Sequence, residues 1–116
     1  MADLTIILNE APYGSERSWN GLRLASTCAS EGMTVNVFLM GDSVAAAKAG
    51  QSTPEGYYNM ANMLGSLIKK GVEVRVCGAC INARGLKVEE FVEGVQRGSM
   101  KILAGWVRES RKVITF

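Results

Sequence analysis

Cys77 and Cys80 form a C-x-x-C inside the stretch VRVCGACINARG, which runs from Val74 to Gly85 and closes on Arg84 and Gly85. Such a pair can be half of a zinc site, a dithiol redox couple, one nucleophilic thiol with a neighbour, or two small buried side chains. Zinc takes four ligands, usually Cys or His. The chain has no histidine and only Cys28 besides the pair, so no metal site is expected within one chain. The missing histidine also removes the serine–histidine and cysteine–histidine nucleophile systems. A thioredoxin-like pair should open a helix, whose dipole lowers the thiol pKa. Gly78 and Gly85 predict a loop here instead, although a redox pair stays open. For a single nucleophile, Arg75 and Arg84 are the nearby cations, and a cation favours the reactive thiolate. A thiolate can attack a sulfane sulfur and hold it as a persulfide. Free cysteines are also often plain buried hydrophobes, so that reading stays open too.

The elements around the pair must decide where it sits. Asp3–Leu8 is apolar and β-rich and predicts a strand. Pro12 and Gly14 mark a loop, Ser15 is the expected N-cap, and a helix runs to Glu31 with Gly32 as its stop. Trp19, Leu22, Ser26 and Ala29 are its expected inward stripe. Cys28, four residues after Leu24, belongs with core packing rather than chemistry. Met33–Met40 is a second strand. Asp42 is expected to cap a short Ala-rich helix that stops at Gly50. Thr53 and Pro54 then signal another helix start, with Tyr57, Met60, Ala61, Leu64, Leu67 and Ile68 on one face and Gly71 at its end.

Val72–Val76 alternates strictly, with Glu73 and Arg75 on one face. A central parallel strand is apolar on both faces, so this strand is expected at an edge, or with one face against solvent or another subunit. LKVEEFVEGV reads as a short helix and Val95–Arg97 as a brief strand. Ser99 should cap a helix with Ile102, Leu103, Trp106 and Val107 inward, and KVITF is a terminal strand. Alternating strands and helices imply βαβ units, a mostly parallel five-stranded sheet and helices on both faces. In such sheets function sits beyond the carboxyl ends of the strands, which is where Cys77 falls.

The 116 residues predict one domain, 1–116, of ordinary globular composition, 47% hydrophobic and 21% charged. A net charge of +2 with scattered basic residues gives no reason to expect a nucleic-acid partner. No apolar run reaches the length of a membrane span, and MADLTIILNEAP lacks a basic leader, so a cytoplasmic protein is expected. The first strand–helix turn, NEAPYGSER, has no glycine-rich phosphate cradle. No nucleotide, flavin or other cofactor is expected.

Five stretches carry a family resemblance: NEAPYGSERSWNGLRLA, FLMGDSV, EGYYNM, VCGACINARGL and the closing VITF. Together they resemble the DsrE/DsrF/TusD group of small sulfur-relay proteins, and most of all its YchN-like branch. The likeness runs the length of the chain without large gaps. It implies a flavodoxin-like three-layer α/β/α sandwich, a homo-oligomer (trimer or hexamer), and sulfur donor and acceptor proteins as partners. The family's sulfur-carrying cysteine matches Cys77, with Arg84 and Gly85 in the corresponding places. Cys80 matches a second cysteine of the YchN-like branch. The resemblance implies Cys77 as the sulfur carrier, while other relay members lack a counterpart of Cys80. On a sulfur-transfer reading Arg84 would stabilise the anion, Cys80 is a candidate resolving thiol, and Gly78 and Gly85 would shape the loop. Two other classes compete: an oligomeric binding module without turnover, and a dithiol redox protein.

Overall fold

The apolar runs Leu4–Leu8 (β1) and Val35–Leu39 (β2) pair in the interior of a five-stranded sheet. The other strands are Glu73–Cys77 (β3), Gln96–Gly98 (β4) and Lys112–Thr115 (β5). The order is β4-β3-β2-β1-β5 and every pairing is parallel. This computed structural model describes residues 1–54 and 58–116. Helices Arg17–Ser30 (α1), Met60–Lys69 (α2), Gly78–Ala83 (α3) and Met100–Glu109 (α4) connect the strands.

Parallel strands need their apolar residues covered on both faces. On the first face the register lines up Ile6, Val37 and Val74, then Leu8, Leu39 and Val76. Leu22 and Ala25 of α1, Met60, Leu64 and Leu67 of α2, and Ile81 of α3 complete this core. Each of the larger side chains contributes about 1.5–3 kcal/mol on leaving water. On the second face Phe38 and Cys77 pack with Leu103 of α4, flanked by Ile7, Met40, Cys80 and Trp106. The chain steps from β1 to β4 in one direction, then returns through α4 to place β5 beside β1. Reversing direction at constant handedness puts the returning helix on the opposite face. The result is three layers, with α4 the one helix on the second side among the described residues.

Several expectations are corrected. β3 is interior, not an edge, because β4 pairs with it; its polar face does meet solvent, with Glu73 exposed and Arg75 half-buried. Its polar Arg75 is neutralised there: Nε meets Glu73 at 2.7 Å and Nη1 donates to the Arg97 carbonyl at 2.9 Å. The expected five-stranded, mostly parallel sheet is found, with every pairing parallel. Glu16, not Ser15, is the N-cap of α1, without a side-chain cap bond, and the buried face is Ser18, Gly21, Leu22 and Ala25. Trp19 is only partly buried, stacked on Tyr58 with ring centroids 4.6 Å apart.

The segment after β2, Gly41–Ala47, is a 3-10 helix that Asp42 does not cap. Thr53 and Pro54 lie outside regular structure, and α2 starts at Met60 with Asn59 as its N-cap, accepting from the Asn62 N–H at 3.1 Å. Tyr57, placed on the helical stripe, lies outside the described residues. LKVEEFVEGV forms only a short 3-10 turn, Val88–Glu90. Ser99 does cap α4, accepting from the Ile102 N–H at 3.2 Å, but Val107 faces outward.

Candidate functional site

β3 delivers Cys77 to the carboxyl rim, and the chain turns there directly into α3. The loop expected from Gly78 is therefore absent. Cys77 is itself the N-cap of α3, and its Sγ accepts the Cys80 N–H at 3.4 Å. A helix end leaves its first N–H groups without partners, and a sulfur at the N-cap fills one of those places. Ile81, fully buried in the first core, anchors the short helix. Gly85 stops it in the left-handed region at φ 67°, as the helix-ending glycine of a Schellman turn. Its N–H donates to Asn82 and the Leu86 N–H donates to Ile81.

The two thiols differ in surroundings. Cys77 is buried and Cys80 half-buried. Cys80 Sγ accepts the Gly41 N–H at 3.2 Å, which ties α3 to the end of β2. Burial pushes the Cys77 thiol above the ordinary cysteine range, and the neighbouring Cys80 thiol adds to this. The N–H groups of Cys80 and Ala79 pull the other way and only partly offset it. Cys77 is thus a protonated thiol at neutral pH. Cys28, on α1, packs against the first core, across the sheet from the Cys77 cluster.

Arg84 makes no hydrogen bond to either thiol. Its Nη2 and Nε reach Asp42 Oδ1 at 2.7 and 3.2 Å, and its Nη1 donates to the Cys80 carbonyl at 3.0 Å. The hydrogen bond to Asp42 raises the Arg84 pKa further above its ordinary value, and the charges of Cys80 and Cys77 are among the lesser influences that raise it. Arg84 therefore fastens the end of α3 to the Gly41–Ala47 segment.

Sequence reasoning missed Arg97. A cleft of about 390 Å³ opens between the start of α3 and the β4–α4 connection. Cys77, Gly78, Ala79 and Cys80 form one wall, and Arg97, Gly98, Ser99 and Met100 the other. The Arg97 guanidinium lies flat against Gly78, so close that a Cβ there would stand 2.8 Å from it. Gly78 is needed for this approach rather than for a loop. Arg97 Nη1 also donates to Asn82 Oδ1 at 3.3 Å. No motif announces Arg97; only the pairing of Cys77 with Gly98 in the β3–β4 register brings it there.

The sequence pattern of the DsrE/DsrF-like family matches residues 2–116, nearly the whole chain. The chain belongs to the DsrE/DsrF-like family. Among its relatives in this family is an uncharacterized protein of Methanopyrus kandleri, 44% identical over 97% of this chain and 93% of its own length. The protein YchN of Escherichia coli K12 is 38% identical, covering all of both chains. The crystal structure of E. coli YchN superposes with a TM-score of 0.91 over the full length of both chains. A protein of unknown function from Methanobacterium thermoautotrophicum, 14% identical, shares the fold alone, with a TM-score of 0.79 over 97% of each chain. The α/β sandwich expected from alternating strands and helices is therefore the fold of the DsrE/DsrF-like chain at hand. Among the described residues no helix is long and apolar enough to cross a membrane.

Proposed function

We propose that this protein is a sulfur carrier of intracellular sulfur metabolism, acting in the cytoplasm. The observation that carries the reading is the placement of Cys77 as the N-cap of α3 on the wall of an open cleft, with Cys80 one turn further on. Membership of a family whose fold serves sulfur relays supports it. In the proposed reaction the Cys77 thiolate attacks the terminal sulfane sulfur of a donor persulfide. The donor's sulfur–sulfur bond breaks, the donor leaves as a thiolate, and Cys77 holds a persulfide. An acceptor thiolate then attacks the outer sulfur and releases the Cys77 thiolate. No net oxidation occurs in either step. Alternatively, the Cys80 thiolate attacks Cys77 Sγ, sulfide leaves, and a Cys77–Cys80 disulfide forms that an external dithiol must reduce.

The test is intact-mass analysis after incubation with a low-molecular-weight persulfide. Wild type and Cys80→Ser should gain one sulfur atom, and Cys77→Ser should gain none. An undiminished adduct on Cys77→Ser removes the assignment. A second reading, a dithiol redox protein, is favoured by the helix start at Cys77, the position where C-x-x-C pairs form reversible disulfides. It predicts that a mild oxidant consumes two thiols per chain and that either serine variant abolishes the effect equally.

The homo-oligomer, trimer or hexamer, implied by the resemblance is part of the proposal. Met100 and Val107 on α4 and Val113 on β5 are exposed, and among the described residues α4 is the only helix packed on the Phe38–Cys77 side of the sheet. Covering α4 with a second copy would also narrow the cleft at Met100. Multi-angle light scattering should give a mass of at least three chains, and Val107→Glu should lower it. A monomeric wild type would remove this part of the reading.

A further inference from the structure

Three arginines surround the cysteine pair, and two are already matched by acids. Arg75 meets Glu73 and Arg84 meets Asp42, each at 2.7 Å. An ion pair closed at that distance projects little net charge into a neighbouring cleft. Arg97 has no carboxylate partner among the described residues. It is held by a neutral group, the Asn82 side-chain oxygen, and by its stacking on Gly78. Its charge therefore remains available to the cleft, whose other walls are largely apolar: Ala79, Met100 and the two cysteines. Ser99 Oγ accepts the Ile102 N–H, which leaves the hydroxyl proton free to donate into the same space.

A cleft with two thiols, one uncompensated cation and one free hydroxyl donor fits an anion that reacts with a thiolate. We propose that Arg97 is the specificity-determining cation of this site, and that the cleft selects anionic sulfane-sulfur compounds of the thiosulfonate class. This rests on the sulfur-carrier reading for its chemistry. In that chemistry the thiolate attacks the terminal sulfur of the thiosulfonate, the bond from that sulfur to the sulfonyl sulfur breaks, and a sulfinate leaves with the bonding pair. Cys77 is left as a persulfide and no external oxidant or reductant is needed. Thiolate and thiosulfonate are both negative, so a cation between them removes a repulsion that would otherwise slow the encounter.

The experiment compares alkylation by anionic iodoacetate and neutral iodoacetamide, read at Cys77 and Cys80 by peptide mass mapping. Iodoacetamide reports exposure and thiolate content, so the ratio of the two rates isolates the charge in the cleft. Arg97→Gln should lower the iodoacetate-to-iodoacetamide ratio about fivefold, the size expected for one partly solvated charge. Arg97→Lys should keep most of the ratio, and Arg84→Gln should change it less than about twofold. A ratio unmoved by Arg97→Gln, or moved as much by Arg84→Gln, overturns the proposal. Alkylation requires no sulfur transfer. A charge-selective cleft in a protein that gains no sulfur adduct would therefore remove the carrier reading and leave Arg97 in its role. An adduct with no charge selectivity would do the reverse.

Discussion

Alkylation of Cys77 by iodoacetamide should accelerate about a hundredfold between pH 7 and pH 9, with no plateau in that window. Only the thiolate reacts, so the rate follows the ionised fraction. An ordinary cysteine, with a pKa of about 8.5, would level off inside this range. Cys77 should not, because burial on the second face and the adjacent Cys80 thiol hold its pKa above the ordinary value. The same shift couples to folding. The folded pKa is higher than the unfolded one, so ionisation favours the unfolded chain. The stability contributed by Cys77 is fully present below the unfolded value and is lost as the pH rises through the folded value. Cys77→Ser should therefore flatten the alkaline limb of a stability–pH curve. A rate plateau below pH 8 would show a stabilised thiolate and contradict the structural account. In the sulfur-carrier reading the raised pKa has a use: the resting thiol is protected, and attack proceeds through the small ionised fraction.

Phe38→Ala should cost about 3–5 kcal/mol of unfolding free energy. Phe38 is fully buried, with its ring edge-on to Trp106 at a centroid distance of 5.8 Å, and the second-face core is small. Beneath the ring lies Gly98, where a Cβ would stand 2.6 Å from Phe38 Cε2 and 3.2 Å from the Arg75 Cβ. Gly98→Ala alone should therefore cost about 1–3 kcal/mol by overpacking. Combined with Phe38→Leu, whose smaller side chain vacates that space, most of the Gly98→Ala cost should vanish. Denaturant unfolding of the four proteins at one chain concentration measures this coupling. Strictly additive costs would mean that ring and glycine do not share the space. Phe38 also seats Cys77, so Phe38→Leu should make Cys77 alkylate faster at every pH.

Much of the architecture is legible from local patterns. The apolar runs in β1 and β2 could pack only as strands, and the helical spacing of Met60, Ala61, Leu64 and Leu67 could serve only a helix. Gly32 and Gly71 mark where α1 and α2 end, because a left-handed residue stops a helix wherever it occurs. The cysteine pair is legible as a rim feature for the same reason: the alternation of Val72, Val74 and Val76 ends at Cys77.

Long-range contacts decided the rest. Thr53 and Pro54 carry a start signal for α2, yet the helix begins at Met60 after its N-cap Asn59, where the Asn59 side chain donates to the Gln51 carbonyl and the Met60 N–H donates to Tyr13 Oη. Gly78 disfavours a helix by propensity, yet α3 starts there because Ile81 is buried in the first core and Gly41 donates to Cys80 Sγ. β3 looks like an edge because Glu73 and Arg75 make one of its faces polar, and the brief strand read at Val95–Arg97 does not say by itself that it pairs with β3. That same pairing carries Arg97 onto Gly78, and no spacing along the chain encodes it. The sequence by itself determined the layers, most helix ends and the position of Cys77 at the carboxyl rim, because periodicity and backbone chirality act over a few residues. Only the tertiary structure decided which thiol is buried, that Arg84 is bound to Asp42 and that Arg97 faces the cleft, because charge and burial depend on neighbours the strand register brings together.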